Sequence, residues 1–439
     1  FIGVVEDIVT SDIIVSADTR VANLFAVFRN ADLTQFFMWV TLLGKWQVVF
    51  VFTIAIIGVL WVQHKRRYIM PLLLTILGSE IFTTLGKIII HRQRPELAVY
   101  TENSFSFPSG HATIAFALYG FLTYILIRNV GRWKAKVNIF IIGITVILLI
   151  GFSRLYLGVH FVSDVWGGYL VGTLWLIIGI SITEWLYTIL KDDIPLYPSI
   201  KTQVISATLI LSSLLFYASF VLINQPRILQ SQTDIPQEKT SIQNIYDVFL
   251  DEQMRYTETL IGDRQEPINF IIISSDDDTI IKTFLNAKWY LADKVSISSV
   301  TKTAKDAVFK EQYLKAPMTP SFWNKEPHNF GFEKPTALDN VRQRHHARFW
   351  KTNYVTGNGK QIYVGNASLD IGIKWGLTHK IEPDIDTERE ILFNDLQKSG
   401  NVKDFKKEQL VKPVLGKNFS GDPFFTDGQV YIIRLTQDK

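Results

Sequence analysis

The chain contains no cysteine in 439 residues. This absence excludes disulfides, thiolate metal sites and a cysteine nucleophile. It leaves the compartment open, because a cysteine-free chain suits oxidising and reducing surroundings alike. An excess of one charge is also lacking. The net charge is +4, too small to leave an electrostatic footprint for nucleic acid, and that partner class is set aside. Residues 226–439 lack long apolar runs, whereas residues 1–225 are full of them. The first part carries 16 Lys+Arg against 12 Asp+Glu, and the second carries 29 of each. The whole charge excess therefore belongs to the apolar half.

Six apolar runs, at about 46–63, 68–87, 112–128, 137–153, 161–186 and 203–223, approach the ~20 residues a helix needs to cross a bilayer. So many runs in so short a stretch argue against buried helices of a soluble protein. Trp46, Trp61, Tyr68, Trp133, Trp185 and Tyr187 flank them as an interfacial aromatic belt would. His64-Lys65-Arg66-Arg67, then Arg128, Arg132, Lys134 and Lys136, then Lys191 and Lys201 fill three alternate loops. By the positive-inside rule these loops are cytoplasmic. Loops 88–111 and 154–160 then face outward, as does everything after the last crossing. Residues 1–45 are expected to form short amphipathic helices along the outer interface, because Asp7, Asp12, Asp18, Arg20, Arg29 and Asp32 interrupt them. Phe1-Ile2-Gly3-Val4-Val5 reads as the end of an apolar helix, and the missing initial Met leaves room for a preceding segment. No signal-peptide pattern is present. Residues 226–245, polar and with two prolines, read as a linker.

Three short segments fall at crossing ends on the outer face. They are Lys87-x6-Arg94-Pro95, Phe107-Pro108-Ser109-Gly110-His111, and Ser153-Arg154-x5-His160-x3-Asp164. Ionisable residues at the edge of hydrocarbon are costly, and so point to a site. Lys87, Arg94 and Arg154 supply cations whose donors match phosphate oxygens. Ser109 and Gly110 open an apolar helix, where free backbone N–H groups favour an anion. His160 and Asp164 are spaced i, i+4 and share one helix face. An Asp so placed holds an imidazole tautomer and stabilises its cation, which suits a histidine nucleophile. His111 is left as the general acid for a leaving oxygen. No carboxylate cluster suggests a metal here, so the cations would carry the charge stabilisation.

These segments resemble the signature of the type-2 phosphatidic acid phosphatase family, which is shared with vanadium haloperoxidases. Lys87, Arg94, Pro95, Pro108, Ser109, Gly110, His111, Ser153, Arg154, His160 and Asp164 all match, and the likeness covers roughly 40–225. It implies a membrane bundle and hydrolysis of a phosphate ester without metal or other cofactor. It also implies a phosphohistidine on His160 oriented by Asp164, with His111 protonating the leaving group and then activating water. Lys87, Arg94, Ser109, Gly110 and Arg154 would hold the phosphoryl oxygens. Glu80 lies seven residues before Lys87, nearly on one face with it and Arg94, and is expected to fix Lys87; Ser153 is a further supporting candidate. His91 and Arg92, inside the first spacer, are expected to meet lipid head groups.

Residues 246–439 read as a soluble α+β domain. Strands are expected at 268–274, 348–355, 360–367 and 430–435, with helices at 278–287, 299–314 and 387–399. The stretches 342–350 and 378–389 resemble the LssY-type C-terminal domain. Within them Arg344, His345, His346, Arg348, His379, Asp384 and Asp386 form a candidate cluster. It allows a salt-bridge network beside a cap at Asp386, an anion pocket with Arg342 and Lys380, or a metal site.

The expected protein is thus an all-α transmembrane bundle of about six crossings (46–225), between an interfacial segment (1–45) and a linker (226–245), followed by a soluble α+β domain (246–439). The substrate class is a phospholipid or isoprenoid-lipid phosphate or pyrophosphate in the membrane. The family resemblance adds a bacterial inner membrane, with the site and the C-terminal domain on the periplasmic side. Two other readings are kept: a vanadate-dependent haloperoxidase-like enzyme, and a non-catalytic lipid-binding protein.

Overall fold

The computed structural model describes residues 2–10, 13–189, 199–224, 239–293, 315–336, 343–374, 378–418 and 421–436. The chain divides into two compact units, Phe1–Thr233 and Asp234–Lys439.

Among the described residues, the first unit has helices and no strands. It comprises α1 (Ile2–Thr10), α2 (Ile13–Phe28), α3 (Ala31–Leu42), α4 (Trp46–Val62) and, after a 3-10 turn, α5 (Ile69–Ile90). Then come α6 (Gly110–Arg128), α7 (Trp133–Tyr156), α8 (Val162–Ile189) and α9 (Ile200–Ile223). Among the described residues, α5 to α9 are long and apolar enough to cross a membrane. The pair α3 and α4, bent by 49°, adds a sixth span if counted as one. All six expected crossings fall on these helices. Ile88, Ile89, Ile141, Ile142, Leu214 and Leu215 are exposed on the bundle, an apolar surface that matches lipid better than water. Inside, Tyr68, Leu72, Leu118, Phe121 and Ile150 are fully buried in one cluster.

Residues 1–45 do more than lie along a surface. Asn30 caps α3 by accepting from the Leu33 amide at 2.9 Å, and Phe37, Met38 and Val40 of that helix enter the main core. Asp18 and Arg20 of α2 are buried rather than solvated. Two charged side chains turn inward where amphipathicity predicted them facing water. Helix α6 contains a π-helical stretch, Ala115–Gly120, one turn beyond its start. Such wide turns recur at functional sites.

The second unit is built on a nine-stranded mixed sheet. Its strands in chain order are β1 (Thr240–Ile242), β2 (Tyr256–Glu258), β3 (Arg264–Pro267), β4 (Phe270–Ser274), β5 (Tyr290–Leu291), β6 (Phe322–Trp323), β7 (Glu326–Pro327), β8 (Phe330–Pro335), β9 (Arg344–Thr356), β10 (Gln361–Lys374), β11 (Thr378–Ile381), β12 (Val402–Gln409), β13 (Val414–Lys417), β14 (Pro423–Thr426) and β15 (Gln429–Leu435). The main path runs β12-β15-β4-β10-β9-β8-β5, with β1 beside β9 and β11 beside β10; β2, β3, β6 and β7 form a small second sheet, and β13 pairs with β14. Helices α10 (Asp277–Asn286) and α11 (Ile385–Lys398) cover one face. Each begins at an aspartate cap, Asp276 and Asp384 respectively. The cap of α11 is therefore Asp384 and not Asp386. The expected linker also ends early, since Thr240–Ile242 is already a strand paired with β9. The helix expected at 299–314 lies outside the described residues.

Candidate active site

The site is assembled where α5, α6, α7 and α8 end. Ser109 is the first residue before α6, but its hydroxyl makes no cap hydrogen bond. Its backbone amide donates instead to the Asp164 carbonyl at 2.9 Å, joining the second segment to the third. A Cβ at Gly168 of α8 would lie 2.5 Å from the Ser109 carbonyl oxygen, so only glycine lets the two helices meet this closely. His111 rests on the α3–α4 loop in the same way. A Cβ on Gly44 would come within 2.6 Å of its imidazole ring.

His160 follows α7 and is buried. Its Nδ1 lies 3.5 Å from Asp164 Oδ2 and 3.4 Å from Ser106 Oγ, and Ser106 donates to that same carboxylate oxygen. The opposite nitrogen, Nε2, lies 3.1 Å from Arg94 Nη1. A guanidinium can only donate, so Nε2 is the acceptor and Nδ1 carries the proton. Burial first, then Arg94 and Arg154, push the His160 imidazole below the ordinary histidine value against the opposing pull of Asp164. The neutral form, with its Nε2 lone pair turned toward Arg94, is thereby favoured.

Arg154 is fully buried, and its donors reach Thr41 Oγ1 and Glu102 Oε1, both at 2.6 Å, and the Tyr100 hydroxyl. Glu102 also accepts from Arg94 at 3.0 Å, so a single carboxylate bridges the two arginines. Burial raises the Glu102 pKa, but Arg154, His111, Arg94 and His160 together hold it well below the usual carboxylate range. The two arginines thus hold the carboxylate of Glu102 directly. Ser109 Oγ, His111 Nε2 and Arg154 Nε remain buried without a hydrogen-bond partner. Buried polar atoms are almost always paired, and three such atoms in one site leave unmet hydrogen-bonding capacity for a ligand rich in oxygen.

Residues 68–188 match the PAP2 superfamily, and residues 250–430 match the LssY C-terminus. Phosphatidylglycerophosphatase B of Bacillus subtilis is 34% identical over 164 residues, covering 36% of this chain and 79% of that protein. The chain belongs to the PAP2 superfamily. Lipid phosphate phosphatase 1 of Arabidopsis thaliana is 32% identical over 102 residues, 22% of this chain and 30% of that protein. Among solved structures, the transmembrane PAP2-type phosphatidylglycerolphosphate phosphatase from Bacillus subtilis is 31% identical and covers 39% of this chain and 86% of its own, with a TM-score of 0.37. Aquifex aeolicus LpxE is 28% identical, covers 36% and 92%, and has a TM-score of 0.29.

In this PAP2 chain the three expected segments meet, with some reassignments. Lys87 donates to the Phe105 carbonyl, with Ser104 Oγ 3.4 Å away, and Arg94 binds the same loop through the Ser104 carbonyl at 2.7 Å. Glu80 makes no hydrogen bond or ion pair with Lys87, and the two interact only as charges at longer range. It is exposed two turns down the helix, and the lysine reaches the other way, into loop 104–105. The Ser153 hydroxyl bonds back to the Ile150 carbonyl and so does not face the site. Arg92 does not reach for head groups. It is largely buried and bridges Asp164 at 2.8 Å and Asp18 at 2.7 Å.

Glu102, Ser106, Tyr100 and Asp18 were not picked out from the sequence. A lone acid among cations, nine residues before His111, was the available signal for Glu102. Nothing local signalled Asp18.

The C-terminal cluster does not form a single site among the described side chains. His345 and His346 are neighbours on β9 and point to opposite faces. His345 pairs with Glu388 of α11 at 2.9 Å. His346 lies 2.8 Å from Asp370 and 3.3 Å from Glu333, and Arg344 also binds Glu333. Arg348 keeps a buried, unpartnered Nε. Asp384 caps α11 through the Asp386 and Thr387 amides. Asp386 accepts from Arg389, Thr426 and the Asp427 amide. Arg342 and the His379 side chain lie outside the described part.

Proposed function

We propose that this protein is an integral membrane phosphatase that hydrolyses a lipid phosphate through a phosphohistidine on His160. The observation that carries the reading is the buried imidazole whose Nε2 faces Arg94, beside the three orphaned polar atoms of Ser109, His111 and Arg154. In the first step His160 Nε2 attacks phosphorus and the bond to the lipid oxygen breaks. His111 gives that oxygen a proton. Lys87, Arg94, Ser109, Gly110 and Arg154 hold the phosphoryl oxygens, whose growing charge they stabilise with fixed donors. In the second step His111 takes a proton from water, which attacks the phosphohistidine and releases phosphate. The cations supply the electrostatic work here, so no metal ion enters either step.

The membrane setting and the named activities of the relatives favour a phosphate anchored at the interface. Phosphatidylglycerol phosphate heads the panel, with phosphatidic acid and polyprenyl pyrophosphate beside it. The charge pattern of the loops supports a site facing away from the cytoplasm, and the family resemblance supports a bacterial inner membrane. The test is phosphate release from this panel by the purified protein in detergent. Wild type should turn over at least one of these lipids with chelator present, and His160→Ala should lose activity by several orders of magnitude. Full activity in His160→Ala would remove the nucleophile from the scheme, and loss on chelation would remove the metal-free step.

A further inference from the structure

The PAP2 match begins at residue 68, yet a buried carboxylate from residue 18 reaches the same site. Asp18 of α2 is 1% exposed. It accepts from Arg92 Nη2 at 2.7 Å, from the Ser163 amide at 3.0 Å, and from the Ser163 hydroxyl. Arg92 Nη1 turns to Asp164 Oδ1 at 2.8 Å, and its guanidinium lies 4.4 Å above the Phe161 ring. One arginine is thus clamped between two carboxylates, and the farther one comes from helices that precede the matched region.

We infer that Asp18 is a positioning residue for the phosphoryl-transfer step, setting through Arg92 the charge that Asp164 presents to His160. This rests on the phosphohistidine reading above. The argument is one of charge balance in a buried place. Asp164, Arg92 and Asp18 together carry one net negative charge. When His160 Nε2 bonds to phosphorus, the ring becomes an imidazolium with one positive charge, and the group as a whole is neutral. Without Asp18, Arg92 cancels Asp164 alone and the imidazolium stands uncompensated. The deficit arises only as the ring acquires charge, so it falls on kcat and not on binding. Asp18 also anchors Ser163, the neighbour of Asp164, through two hydrogen bonds, which fixes the start of α8 beneath the ring.

The test is a mutant cycle in the full chain on a short-chain lipid phosphate, read as kcat, KM and melting temperature. Asp18→Asn should lower kcat roughly tenfold to a hundredfold with KM within about twofold. Asp18→Asn with Arg92→Gln should recover part of that loss, because it restores one net negative charge. A purely structural Asp18 predicts the opposite, a further drop in the double variant. Should Asp18→Asn fail to fold, Ser163→Ala serves as the second probe. It removes the hydroxyl contact while keeping every charge, and should cost kcat only a few fold. Unchanged kcat in folded Asp18→Asn, a drop confined to KM, or a double variant weaker than Asp18→Asn would each overturn the inference. An inactive wild type on all lipid phosphates would instead defeat the functional reading itself.

Discussion

At the scale of single residues, Glu102 is the side chain with the most to tell. Its carboxylate lies between Arg94 and Arg154 at 3.0 and 2.6 Å, in the setting a phosphoryl group would require. On the proposed reading, substrate and product compete with an internal anion. Glu102→Gln keeps the shape and removes the charge, so inorganic phosphate and vanadate should inhibit the variant several-fold more tightly. Equal inhibition constants in the two proteins would show that the carboxylate and the phosphate do not overlap. Residue spacing made Lys87, Arg94, His111, Arg154, His160 and Asp164 legible, because each belongs to a short segment with its own chemistry. Arg92 was misread for the converse reason. Its partner Asp18 is 74 residues away, and no local pattern joins them. Glu80 is a different case. Helical phase put it in line with Lys87, but phase does not say that a long side chain will turn toward a neighbouring loop.

At the scale of elements, the approach of α6 to α8 is what builds the site. It depends on Gly168, where an added Cβ would meet the Ser109 carbonyl oxygen at 2.5 Å and the Ala112 Cβ at 2.9 Å. Backbone cannot swing aside as a flexible side chain can, so Gly168→Ala should push Ser109 and His111 away from His160. We expect a cost of about 1–3 kcal/mol in stability from overpacking, and a kcat loss of at least an order of magnitude beyond what the melting temperature explains. Normal kcat in a folded Gly168→Ala protein would show that α6 tolerates the shift. The helices themselves were readable from long apolar runs. The strands were less so. The run Arg344-His345-His346-Ala347-Arg348 looks like one basic patch in sequence, but on a strand alternate residues leave on opposite faces. The cluster is split between α11 and the Glu333–Asp370 side of the sheet. Short strands such as Phe322–Trp323 carry too few residues for any periodicity to show.

At the scale of the molecule, two units with separate cores share one chain, and each carries its own test. In the second, burial works against the charge on His346, but Asp370 and Glu333 outweigh it and raise the imidazole to about 9. A group whose folded value lies above its ordinary one stabilises the fold fully below that ordinary value, near 6.5, and loses this contribution as pH climbs through about 9. Amide exchange in β9 and β10 should therefore reveal falling local stability between those limits, after correction for the intrinsic rate. His346→Gln should flatten the trend, and an unaltered trend in that variant would assign it to other groups. For the first unit, we propose from the loop charges that residues after the last crossing lie on the side of loops 88–111 and 154–160, which requires the bent pair α3 and α4 to count as one span. A protease tag inserted after residue 245 should be cut in spheroplasts with a sealed inner membrane, and cleavage only after that membrane is broken would reverse the orientation.

The burial of Asp18 beneath the catalytic helices also bears on where the working enzyme begins. The match to the PAP2 family model starts at residue 68, and a shortened protein trimmed to that boundary would keep every signature residue. It would lose the helix that reaches under Asp164, along with Gly44, against which His111 rests. Transplanting the matched region onto another scaffold would transfer the motif but leave behind part of what holds it in working order.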